Sequence, residues 1–159
     1  MNKRHQIIVI GVQPPCTRCK LLGKIVAEKV KELQIDAEVR HLSYTDQESK
    51  ELAKGYGLES GTAKDVSKRI HIEIDSQQIS SAKNKITLHP NYDFRAYNDC
   101  NWTFELDEVL RPFEHQAKAV GIMMTPVLII NGELKHQGSV PALSKINKWL
   151  LELKYSSGV

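Results

Sequence analysis

The pair Cys16-Thr17-Arg18-Cys19 constrains this chain more than any other feature, because of what flanks it. Upstream, Gln6-Ile7-Ile8-Val9-Ile10-Gly11-Val12 is a short β-branched run that reads as a strand. Downstream, Leu22, Ile25, Val26, Val30 and Leu33 recur at the i, i+3, i+4 spacing of one helix face. The cysteines therefore sit where a strand turns into a helix. The first free N–H groups of a helix, with the positive end of its dipole, stabilise a thiolate, which is the nucleophilic form of cysteine. Arg18 and Lys20 add positive charge beside it. A CxxC serves either a redox pair or half of a zinc site. A full zinc site needs two more ligands, and no second CxxC or paired-histidine spacing occurs. A zinc or iron–sulfur half-site completed by a second subunit stays open, as does a pair of buried structural cysteines, but the strand–CxxC–helix context favours redox chemistry.

A second signal lies far along the chain. Met124-Thr125-Pro126-Val127-Leu128-Ile129-Ile130-Asn131-Gly132-Glu133-Leu134 reads as proline entering a buried strand, an Asn-Gly turn and a return strand. Ser139-Val140-Pro141 then opens a helix whose apolar face is Leu143, Ile146 and Leu150.

With these residues in this order, the chain resembles the thioredoxin superfamily, and within it the small, glutaredoxin-sized redox-active disulfide proteins. The matching residues are Ile10-Gly11, Cys16 to Cys19, Val30 to Val39, and Thr125 to Leu134, so the likeness covers roughly residues 5–42 and 105–153. It implies a thioredoxin-like α/β fold, a central mixed sheet flanked by helices. It also implies a cis Pro126 packed beside the CxxC, and a backbone at Thr125 that binds an incoming peptide or disulfide as an added strand. Thioredoxin itself has a buried acid on the strand before its CxxC, a Trp ahead of the first Cys, and Gly-Pro between the cysteines. Here that strand is apolar, Pro14-Pro15 precede Cys16, and the dipeptide is Thr-Arg.

The chain's 159 residues suit a single domain with a real core. The net charge of +3 is small and scattered, which argues against nucleic acid as a partner. No apolar run approaches a membrane span, and the start, Met1-Asn2-Lys3-Arg4, resembles a signal n-region only faintly because the apolar run after it is short. A cytoplasmic setting, where thiols stay reduced, makes a CxxC catalytic or metal-binding more often than structural.

The minimal fold of the family runs almost directly from its second strand, here Ala37 to Leu42, to the helix before the proline. In this chain residues 43–104 intervene, and they read as a folded α+β insertion. Within it, Thr45 to Lys54 reads as a helix and Gly55 to Gly61 as a loop that lacks the phosphate-loop ending. Thr62-Ala63-Lys64-Asp65 resembles a capping box opening a short helix to Arg69. Arg69 to Asp75 alternates, which predicts a half-buried strand with Ile70, Ile72 and Ile74 inward, and Lys85 to His89 is its expected partner. Beyond it, Leu106, Val109, Leu110, Phe113, Ala117 and Val120 share a helical face, with Pro112 expected to start or kink the helix and Gly121 to end it. Cys100 reads as a small buried residue or as a third redox thiol. The six histidines show no ligand spacing and read as surface groups.

The expected activity is a dithiol–disulfide oxidoreductase without metal or cofactor. Cys16 is the expected nucleophile and Cys19 the resolving thiol. Thr125 and Pro126 form the docking edge, and Arg18 either steers an anionic substrate or is a solvated charge at the helix start. The partners are a protein or small-molecule disulfide and an upstream reductant. The alternative is a non-catalytic module whose CxxC is a regulatory disulfide or a metal half-site, and whose insertion at 43–104 binds a partner protein.

Overall fold

The structure is a computed structural model that describes residues 4–13, 16–85, 89–98 and 101–156. Strand β1 (His5–Gly11) leads through helix α1 (Thr17–Glu32) to β2 (Ala37–Ser43), and β1 and β2 pair in parallel. Near the other end, β5 (Val127–Ile130) and β6 (Glu133–Gln137) form an antiparallel hairpin, and β5 lies antiparallel to β1. The result is a four-stranded mixed sheet in the order β2-β1-β5-β6. The hairpin loop is Asn131-Gly132, both at positive φ, the backbone that a two-residue turn between right-twisted strands requires.

The unbroken apolar run of β1 is explained by its central place, since both faces of the strand are covered. Ile7 and Val9 point to one layer, with Leu22, Ile25 and Val26 of α1 and Ile146 and Leu150 of α6 (Leu143–Ser156). Ile8 and Ile10 point to the other, with Met123 and Ala53. The CxxC follows directly where β1 leaves the sheet.

Residues 43–104 form α2 (Gln47–Gly55), β3 (Glu59–Gly61), α3 (Ala63–Ile70) and α4 (Ser76–Lys83), then a 3-10 turn at Pro90–Tyr92. Helix α5 (Phe104–Ala117) and the short β4 (Ile122–Met124) connect them to the hairpin. Strand β3 pairs in parallel with β4 as a separate two-stranded ribbon. The segment shares its packing with the rest: Ala82, Phe94 and Tyr97 join the layer over α1, and Val66 packs with Leu110, Phe113 and Ile122.

Several expectations are corrected here. Arg69 to Asp75 is not a strand. The capping box at Thr62 and Asp65 forms, and it starts a helix that continues through Ile70 and ends at His71, in left-handed conformation. Val66, Ile70 and Ile74 lie four apart, and all three pack in one cluster, while Ile72 is 57% exposed. Ile70 ends the helix and Ile74 lies past it in irregular chain, so both reach the cluster without a strand, and Ile72 does not. The expected partner strand is absent at its ends, where Lys85 is irregular and His89 caps the 3-10 turn; Ile86 to Leu88 lie outside the described residues, as does Cys100. Pro112 falls inside α5 on an exposed position and does not start it. Gly121, at φ +78°, closes the turn after that helix. Among the described residues no helix is long and apolar enough to cross a membrane.

Candidate functional site

Cys16 is the N-cap of α1, in extended conformation, and its carbonyl accepts the first helical bond from Lys20 N–H at 2.9 Å. No acidic residue lies in the first turn to compete for the free N–H groups. Cys16 is exposed, whereas Cys19, one turn on, is buried and 5% accessible. Both are free thiols, with the sulfurs 3.2 Å apart. Their titrations separate sharply. The hydrogen bond from Cys19, then the adjacent N–H groups and the Arg18 charge, lower the Cys16 pKa to about 6 against the opposing effect of burial. The same hydrogen bond, with burial and the nearby thiolate, pushes Cys19 far up. The proton shared by the pair therefore stays on Cys19, and Cys16 is a thiolate at neutral pH.

Gly11 at the end of β1 makes this packing feasible. A Cβ there would lie 2.6 Å from the Cys19 Cβ and 2.9 Å from its sulfur, inside any tolerable contact. Behind Cys19 a cleft of about 310 Å³ opens between α1 and β2 and ends at His41, whose ring rests over Gly23.

Arg18 does not face solvent. It is 6% accessible, its Nε donates to Asp107 Oδ1 at 2.5 Å, and its Nη2 donates to the Gly138 carbonyl. Asp107, in the first turn of α5 and 1% accessible, accepts also from the Trp102 indole at 3.1 Å and from Val140 N–H at 3.0 Å. A carboxylate this deeply buried needs a paired cation and filled lone pairs, and Arg18 supplies the charge. The expected steering role of Arg18 is thus replaced by a structural one. The guanidinium clamps the start of α1 to α5 and to the β6–α6 connection.

The Thr125–Pro126 peptide is cis, and both residues are buried. Pro126 connects to the clamp through Gly138, whose N–H donates to the Pro126 carbonyl at 2.9 Å. At Thr125 the docking expectation meets an obstacle, because its N–H already donates to Gly61 O at 3.0 Å, continuing the β3–β4 ladder. The edge expected to receive an incoming strand is paired at that donor by the chain's own segment 43–104.

Two features were not singled out in the sequence. Asp107 is one; its signal is an acid set among Leu106, Leu110 and Phe113 on a buried helix face. The other is a polar cluster in which Ser139, 1% accessible, donates to Glu114 at 2.7 Å and lies 2.8 Å from His136 Nε2, with Arg111 on Glu114 at 2.6 Å. His136 is half-buried, against the surface reading, and burial lowers its pKa. Among the described residues no group of three or more His, Cys, Asp or Glu side chains is placed to hold a metal ion.

A family model described as Thioredoxin domain matches residues 94–151, from the approach to α5 into α6. With the mixed sheet and its flanking helices, this match supports a thioredoxin-like fold. The matched stretch carries Pro126 and the β5–β6 hairpin, and the CxxC of this thioredoxin-like chain lies before it. No curated protein and no solved structure matches the chain.

Proposed function

We propose that this protein is a thiol–disulfide oxidoreductase that uses Cys16 and Cys19 as its redox pair. The observation that carries this reading is the division of labour between the two thiols: an exposed Cys16 with its pKa lowered to about 6, against a buried Cys19 that keeps its proton. The Cys16 thiolate attacks one sulfur of a substrate disulfide, forms a mixed disulfide and expels the other sulfur as a thiolate, which takes a proton from water. Cys19 then gives up its proton and attacks the Cys16 sulfur. The Cys16–Cys19 disulfide forms and the second substrate thiolate leaves. Two electrons pass to the substrate, and an external dithiol restores the reduced pair. Thiols in free form fit a reducing compartment such as the cytoplasm.

Replacing Cys19 by Ser stalls this cycle at the mixed disulfide. Mass spectrometry of Cys19→Ser after incubation with a disulfide-bonded peptide is expected to show a covalent adduct on Cys16. Recovery of unmodified protein alone would sink the reading. Alkylation gives a second check. Cys16 is depressed below the ordinary thiol value, so its thiolate is present above its pKa and lost below it. The iodoacetamide rate should therefore rise with pH through a midpoint near about 6. In Cys19→Ala the midpoint should move up, because the largest stabilising hydrogen bond is gone.

A further inference from the structure

A groove of about 670 Å³ begins at Thr17, next to the nucleophile, and runs along the chain between α4 and α5. Lys83, Lys85 and Arg95 line it. Asp93 is the one acid among its described lining residues, and Arg95 holds both of its carboxylate oxygens, at 2.8 and 2.7 Å. The charge of the two lysines therefore faces the groove without a lining acid to offset it. Its wall is aromatic: Tyr92 and Phe104 pack ring to ring at 4.9 Å, and Phe94 meets Trp102 at 5.2 Å. The wall is held rigid from behind, since the Trp102 indole is bonded to Asp107, the same carboxylate that clamps Arg18.

We propose that this groove binds an acidic, extended peptide segment flanking the disulfide presented to Cys16. The inference rests on the oxidoreductase reading for the chemistry, but not for the binding. Three observations carry it. The groove ends at the residue after Cys16, so a chain lying in it delivers a neighbouring disulfide to the thiolate. Among its described lining residues the uncompensated charge is positive, and acidic side chains complement it. Strand addition at Thr125 is met by Gly61 already occupying the donor there, so recognition falls to the groove that begins at Thr17. Aromatic faces accept backbone and aliphatic stems of a peptide, and a small diffusible disulfide would leave most of this volume empty.

The test uses the full chain and two fluorescein-labelled peptides of equal length, in which serine stands for the reactive cysteine. One has glutamates and the other lysines around that serine. Anisotropy at low ionic strength should give binding of the acidic peptide about tenfold tighter than the basic one, weakening as salt is added. The exposed double variant Lys83→Glu, Lys85→Glu should abolish the preference. Equal binding of the two peptides, or a preference that survives the double variant, overturns the groove assignment. Turnover is read separately with bis(2-hydroxyethyl) disulfide. The double variant should reduce this neutral substrate at the wild-type rate, and a parallel loss there would mean that the lysines serve the thiols rather than recognition. If wild type binds the acidic peptide but reduces no disulfide, the binding site stands and the oxidoreductase reading falls.

Discussion

The sheet with its two thiols and the segment over residues 43–104 are built on different principles. The sheet buries large side chains on both faces: Ile7 and Ile10 in β1, and Leu22 and Ile25 in α1, are fully inaccessible. The segment contributes mostly small ones, Ala53, Ala63, Val66 and Ala82, and among its described residues the larger buried rings are Phe94, Tyr97 and Trp102. Its strand β3 has three residues and pairs with β4, outside the segment. The sheet generates its own core, whereas the segment is held by what it leans on. A region of the second kind is free to vary its surface while its place is fixed by the first. That suits a recognition surface beside the two thiols.

The contrast breaks most visibly at the clamp, which the segment joins through Trp102 on Asp107. Asp107→Ala leaves Arg18 buried without a counter-charge, and breaking a buried pair in this way costs about 3–5 kcal/mol. Urea unfolding should show that loss in one transition, and a change within ~0.5 kcal/mol would mean that the pair is not buried in solution. Val66→Ala comes next. It removes two methyl groups from the cluster that seats α3 on α5, for a cost of about 1–2 kcal/mol. If the segment leans on the core, fluorescence and far-UV circular dichroism should still report coincident transitions; two separate transitions would show that it folds alone. The smallest effect is expected at Ile72→Ala, within about 0.5 kcal/mol, because that side chain is 57% exposed. A large loss there would restore the inward-facing strand that the alternation suggests.

Much of the sheet half is legible in the sequence. Six of the seven residues of β1, the long face of α1 and the Asn-Gly hairpin follow from period and turn chemistry. So does the polarity of the thiols, since a cysteine at a helix start and another one turn later differ in exposure by geometry alone. What stayed hidden has a common physical cause. Arg18 and Asp107 are 89 residues apart, and nothing local marks a charge as destined for the interior. The strands β3 and β4 are too short to show a period, so the pairing that covers Thr125 had no signature. The alternation of Ile70, Ile72 and Ile74 masked a helix that opens at the Thr62 capping box and stops at His71, leaving Ile72 and Ile74 in irregular chain.

The clamp also has a consequence for the order in which the protein comes into being. A ribosome delivers Cys16 and Cys19 early, but Asp107, the Pro126 and Gly138 carbonyls and the Val140 amide emerge only near the end. Until then the start of α1 has nothing to be clamped to, and Arg18 has no buried counter-charge. The burial of that pair is thus a property of the finished chain, whereas the groups that acidify Cys16 all lie within Cys16 to Cys19.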